Sequence, residues 1–279
     1  MSAVARVRSS ETLNGAGLFA NGILSSFATM VFTQPLDRWK TDRFSGNARS
    51  STGLYRGFGI NCASIVPVWG LAFGFYHTAL KRLAPSGQAT DRQKLEATVL
   101  GTTVATPVAA VFEKIKVAQQ LRDDVTVRDV VRRVVATEGL YGLVKGGGPI
   151  WWRGYLWYTG MLAMRQKIQD AQPKALTNRT VRKIVADAET GAMVGGSTAL
   201  FDNLRAKVQG DGWGPIPKGT YPTVRKTVTW IIRNEGIRGL IVPKGTLERM
   251  GFAGAALVIM GGASDAFPEY LPSFLHRQE

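Results

Sequence analysis

The chain has 279 residues, 45% of them hydrophobic, with a mean hydropathy near zero and a formal charge of +15. Its Lys and Arg are scattered, with no basic block interleaved with stacking aromatics, which argues against nucleic acid as a partner. Two histidines, one cysteine and the lack of any metal-ligand spacing or nucleophile constellation argue against an enzyme, a resident cofactor or an internal disulfide.

The N-terminus carries Arg6 and Arg8 but no signal-peptide apolar core, so membrane insertion is expected to rest on internal segments. Thr12–Leu36 holds no Asp, Glu, Lys or Arg and runs into PLDRWKTDRF (35–44). LYRGFG (54–59) then leads into Gly57–Leu80, 24 residues without such a charge. At 1.5 Å per residue that run crosses a hydrocarbon core roughly 30 Å thick. Cys62, inside it, reads as a small packing residue.

The same order returns twice. Ala97–Phe112 leads into VFEKIKVAQQ (111–120), and EGLYGLVKGGGP (138–149) into Gly154–Met164. Thr190–Phe201 leads into LFDNLRAKVQ (200–209), and EGIRGLIVPKG (235–245) into Met250–Ser264. Any one run near 12 residues reads equally as a buried soluble helix, but six in a Gly-rich chain favour membrane helices. Between motif and lead-in, Val127, Val130, Val131, Val134 and Val135 mark one helical face, and Val224, Val228, Ile231 and Ile232 a similar one. The spacing predicts short amphipathic helices near 126–137 and 222–234, and none between 44 and 52. Each motif sets an acid three residues before a base: Asp37/Lys40, Glu113/Lys116 and Asp202/Arg205. Such a pair either bonds within its own helix on a solvated face or reaches a different helix in a drier setting. Spacing alone leaves both open.

P-x-[DE]-x-x-[KR], an amphipathic stretch and then [DE]-G-x-x-x-x-[aromatic]-[KR]-G, three times in order from about Gly15 to Ala263, resembles the signature of the mitochondrial carrier family. The resemblance implies an all-α, multi-pass protein of the mitochondrial inner membrane. Six transmembrane helices would form three pseudo-symmetric repeats, 1–90, 91–178 and 179–279, with short matrix helices. It implies matrix-gate bridges Asp37–Lys116, Glu113–Arg205 and Asp202–Lys40. It also implies cavity contacts at Ser64 and Arg153, seven residues past Gly57 and Gly146, and at Arg249, about one place out of register. Two cavity arginines suit an anionic metabolite, since guanidinium grips carboxylate or phosphate bidentately. Arg153 has the alternative of tying helices through backbone carbonyls. Arg56-Gly57 and Lys145-Gly146 resemble sites for cardiolipin as a structural lipid, while the third lead-in, with Pro243, offers no clean counterpart.

Departures from the family pattern bear on function. Val111 and Leu200 stand where kink-forming prolines are expected, so those two helices should lack the kink. The opposite gate is reduced to Tyr76-His77, Arg165-Gln166 and Gly261-Gly262, without an acid. These losses favour an accessory subunit of a larger respiratory-chain or ATP-synthase assembly over the alternative, a carrier exchanging an anionic metabolite. Lys and Arg are equally dense on the two expected sides, so charge gives no orientation.

Overall fold

The computed structural model describes residues 15–46, 53–85, 88–122, 124–172, 178–213 and 217–272, and within them the regular structure is all helical. Six long helices carry the architecture: α1 (Gly15–Phe44), α2 (Phe58–Leu83), α3 (Asp91–Leu121), α6 (Gly147–Ala171), α7 (Arg179–Gly210) and α9 (Thr246–Ala266). Each packs on the next in chain order, and α9 closes on α1, so the six form a ring. The shorter α4 (Val127–Glu138) and α5 (Tyr141–Val144) pack on α3, and α8 (Val224–Ile241) packs on α7. These connections put the C-termini of α1, α3 and α7 and the N-termini of α2, α6 and α9 at one end of the ring.

Local chemistry sets the helix starts. Thr90 and Thr126 form reciprocal capping boxes with Gln93 and Asp129 at the heads of α3 and α4, and Asn178 caps α7. The hydrogen bonds from Thr126 hold the Asp129 carboxyl below the usual carboxylate range. By contrast, α2, α6 and α9 begin on Gly57, Gly146 and Gly245, each left-handed (φ 72°, 84° and 102°) and without a side-chain cap. Their first amides are left for other partners.

Small residues let the helices approach. A Cβ on Gly101 of α3 would lie 2.5 Å from the carbonyl oxygen of Ala72 on α2, and one on Gly195 of α7 2.6 Å from Ala253 Cβ on α9. A compact apolar cluster of Ile115, Ala118, Val130, Val134 and Trp213 forms beneath α3. Trp213 comes from the α7–α8 connection, and the Arg133 guanidinium lies 4.4 Å over its ring. In the same connection Asp211 accepts from the backbone N–H groups of Gly219 and Tyr221. Burial, then the carboxylates of Glu235 and Asp211, push the Tyr221 hydroxyl pKa up.

The ring is inverted relative to a water-soluble protein. Phe32 on α1 is 68% exposed, whereas Asp37, five residues on, is 2% exposed. Phe27, Val66, Phe73, Leu100 and Met193 are also exposed, while Thr29, Thr33, Lys40, Lys116, Asp202 and Arg205 are buried. Apolar surface outside and paired charge inside is the arrangement a lipid solvent selects.

Two expectations need correction. Among the described residues three helices, not six, are long and apolar enough to cross a membrane: α1, α2 and α3. Along α6, α7 and α9 the apolar runs are short: Arg153, Asp202 and Arg249 bound them at one end and Arg165, Glu189 and Asp265 at the other, and both Arg153 and Arg249 turn inward to Asp202. Second, α8 runs beyond 234 to Ile241 and is broken at Gly236, whose φ of 72° interrupts the helix. The other short helix falls at 127–138. Residues 45 and 46 form a turn, and 47–52, where no helix is expected, lie outside the described residues.

Candidate functional site

At the end of the ring where α1, α3 and α7 finish, the six motif residues meet in one buried network. Lys116 lies 3.3 Å from Asp37, Lys40 3.7 Å from Asp202, and Arg205 pairs with Glu113, so every link between the three helices is present. The links within each helix are present too: Asp37–Lys40 at 2.7 Å, Glu113–Lys116 at 2.9 Å and Asp202–Arg205 at 3.3 Å. The two readings of the motif are therefore not alternatives, because each acid bridges its own base and a neighbour's. The Gln120 amide also donates to Asp37 at 3.1 Å. Removing ions from water is costly, and mutual pairing at several contacts offsets part of that cost.

Above the network lies a cavity of about 240 Å³, whose lining includes Ser64, Trp69, Arg153, Tyr158, Arg249 and Phe252 over Asp37, Lys40, Glu113 and Lys116. Ser64 donates its hydroxyl proton to the Asn61 carbonyl of its own helix. Arg153 pairs with carboxylates, and among the described residues with no backbone carbonyl: one nitrogen lies 3.0 Å from Asp202 and another 3.3 Å from Glu113. Arg249 reaches Asp202 at 2.8 Å and donates to the Thr198 hydroxyl at 3.2 Å. Both arginines line the cavity and brace the network beneath it.

The third lead-in is more regular than its sequence suggests. Lys244-Gly245 starts α9 as Arg56-Gly57 starts α2 and Lys145-Gly146 starts α6, with the same left-handed glycine. Counting seven residues from Gly245 reaches Phe252, which lines the cavity, and Arg249 lies almost one turn nearer the network. The Lys40 ammonium sits 4.5 Å over the Phe252 ring and the Arg249 guanidinium 5.4 Å from it. Phe252 is thus a cavity residue that reading the lead-in as irregular conceals, and Pro243 is the cause.

Five cations (Lys40, Lys116, Arg153, Arg205 and Arg249) face three carboxylates in this site, an excess of two positive charges. The chemistry available is reversible binding of an anion. At the far end, Arg165 binds Asp187 through two hydrogen bonds, Lys183 pairs with Asp265, and Asn21 donates to Ser264. These contacts join α6 to α7, α7 to α9 and α1 to α9. Among the described residues no ion pair joins any two of α2, α6 and α9.

No protein-family profile matches the chain. Two curated proteins are similar to it. One is the probable S-adenosylmethionine carrier 2, chloroplastic, of Arabidopsis thaliana, 26% identical over 192 residues, covering 67% of this chain and 54% of that protein. The other is the mitochondrial 2-oxodicarboxylate carrier 2 of Saccharomyces cerevisiae, 24% identical over 176 residues, covering 61% of this chain and 57% of that protein. The chain spans about half the length of the curated relatives it matches. These similarities, with the all-α architecture and its long apolar helices, support a distant relationship to the mitochondrial carrier family and association with a membrane.

Proposed function

We propose that the chain is a solute carrier of the mitochondrial inner membrane that exchanges a small dianion. In this reading the three repeats contribute all six long helices as membrane spans, with the ion-pair network as the matrix gate in its closed position. The cavity then lies on the intermembrane-space side of that gate. The observation that carries the proposal is the excess of two positive charges in a cavity inside an apolar-surfaced ring. A solute with two carboxylates supplies the missing charge. The yeast relative is named for a dicarboxylate, whereas S-adenosylmethionine bears a sulfonium cation that this cavity would repel. An anion on Arg153 and Arg249 competes with Glu113 and Asp202 for the same guanidinium groups. Its binding therefore loosens the gate beneath it, and a ligand shifts an equilibrium only by such differential contacts.

The absence of ion pairs among the described residues of α2, α6 and α9 favours a second reading, the accessory subunit of a respiratory-chain or ATP-synthase assembly, with the ring held in one state by its neighbours. One experiment separates the two. The full chain, reconstituted in cardiolipin-containing liposomes, is assayed for counter-exchange of four- to six-carbon dicarboxylates, phosphate and S-adenosylmethionine. The carrier reading expects saturable dicarboxylate exchange that Arg153→Gln lowers at least about tenfold while the melting temperature stays measurable. A single buried charged contact of about 1.5–3 kcal/mol has that weight. No exchange of any of these solutes, together with stoichiometric retention in a larger complex under mild detergent, would establish the accessory reading.

A further inference from the structure

We infer that the far side of the cavity is closed by an aromatic latch between Trp69 and Tyr158, in place of a charge-paired gate. Trp69 lies on α2 and Tyr158 on α6, two helices that are not neighbours in the ring, since α3 stands between them. Their rings nevertheless meet across it, edge to face, with centroids 5.8 Å apart. That is the favoured geometry for an aromatic pair. Both rings line the cavity. Trp69 is five residues past Ser64, and Tyr158 five past Arg153, so each lies about 7.5 Å further along its helix, on the side away from the ion-pair network. The latch therefore stands between the cavity contacts and the far mouth.

Three further observations fit a closure of this kind. Among the described residues no ion pair links α2, α6 and α9, and the far-end carboxylate Asp187 is taken by Arg165. Trp69 is backed by Phe73, stacked at 5.4 Å and 18°, which holds the indole across the opening. Beyond Phe252 on α9 the cavity is lined by Ala256 and Met260, a small and a flexible side chain, leaving room for the rings to part. A solute entering from the far side must separate Trp69 from Tyr158. One that leaves through the network lets them close behind it.

This inference rests on the carrier reading for its purpose, but its test does not use transport. In a Cys62→Ser background, Ser64→Cys places a thiol in the cavity below the latch. Its rate of reaction with a membrane-impermeant thiol reagent is measured in proteoliposomes without solute. Trp69→Ala and Tyr158→Ala are each expected to raise that rate about two- to tenfold, the factor that an aromatic pair's coupling sets. The double variant should gain no more than the larger single, because either change opens the same latch. Tyr158→Phe keeps the ring and should keep the parent rate. Trp69→Leu serves where Trp69→Ala fails to fold, and melting curves identify that case. A parent-like rate in folded Trp69→Ala or Trp69→Leu overturns the latch. So do fully multiplicative effects in the double variant, or a Tyr158→Phe rate equal to that of Tyr158→Ala. Loss of dicarboxylate exchange with coupled labelling rates would refute the carrier reading alone.

Discussion

Asp202 faces four cations, Lys40, Arg153, Arg205 and Arg249, whereas Asp37 faces Lys40 and Lys116 with help from the Gln120 amide. That difference ranks what each carboxylate holds together. Removing one partner from a buried ion set leaves the rest uncompensated, at a cost of roughly 3–5 kcal/mol, against under about 0.5 kcal/mol for a typical surface change. Asp202→Asn should therefore lower the melting temperature more than Asp37→Asn. Lys116→Ala, which takes one of the two cations from Asp37 and one from Glu113, should lower it more than Lys94→Ala, whose partner Asp91 is almost fully exposed. Thermal melts in one detergent and lipid mixture check both orders, and equal shifts for Lys116→Ala and Lys94→Ala would mean that the network is hydrated. The six motif residues are legible in the sequence because acid and base recur three apart in each copy. The roles of Gln120 and Arg153 are not, because their partners lie 83, 40 and 49 residues away and only the closed ring brings them together. Lys114 belongs with these hidden features: it is fully buried, and its ammonium has no hydrogen-bond partner among the described residues.

At the scale of the helices, close approach decides where substitutions are tolerated. A Cβ on Gly101 would stand 2.5 Å from a backbone oxygen of α2, which cannot swing aside as a side chain would. Gly74, in the middle of α2, has nothing within 4 Å of the same position. Gly101→Ala should therefore destabilise by about 1–3 kcal/mol through overpacking. Gly74→Ala should stabilise by up to about 1 kcal/mol, because glycine is the poorer helix former. Paired melts read the contrast, and a loss for Gly74→Ala as large as that for Gly101→Ala would remove the α2–α3 contact as the cause. Short helices were legible wherever apolar residues kept helical spacing: Val130 and Val134 of α4 and Ile231 of α8 are buried, each within its predicted stripe. Composition serves less well for α6, α7 and α9. Their charges are satisfied across the ring interior, and an average along one helix cannot register a partner on another. The Trp69–Tyr158 contact escapes sequence spacing for the same reason, since it joins helices separated by a third.

For the molecule as a whole, the three glycine-led starts of α2, α6 and α9 lie at one end, each with amides lacking a side-chain cap and a base just before the glycine: Arg56, Lys145 and Lys244. Helix N-termini of this kind favour phosphate, and bases beside them add to the attraction. We propose that cardiolipin occupies all three, including the α9 start. A lipid that binds the folded ring and not the unfolded chain stabilises it by mass action, about 2.7 kcal/mol at one hundred times its dissociation constant. Adding cardiolipin to the detergent-solubilised protein should therefore raise the melting temperature, and phosphatidylcholine should not. Arg56→Gln, Lys145→Gln and Lys244→Gln should each shrink the rise, while Lys94→Gln, at the far end of α3, should leave it unchanged. The increment on adding lipid is the quantity to compare, because Lys145 also pairs with Glu138 at 3.1 Å and its loss lowers the starting value. Salt should reduce the increment as it screens the bases. A rise equal in phosphatidylcholine would show that acyl chains alone stabilise the ring. A rise that survives all three substitutions would place the headgroups elsewhere on the surface.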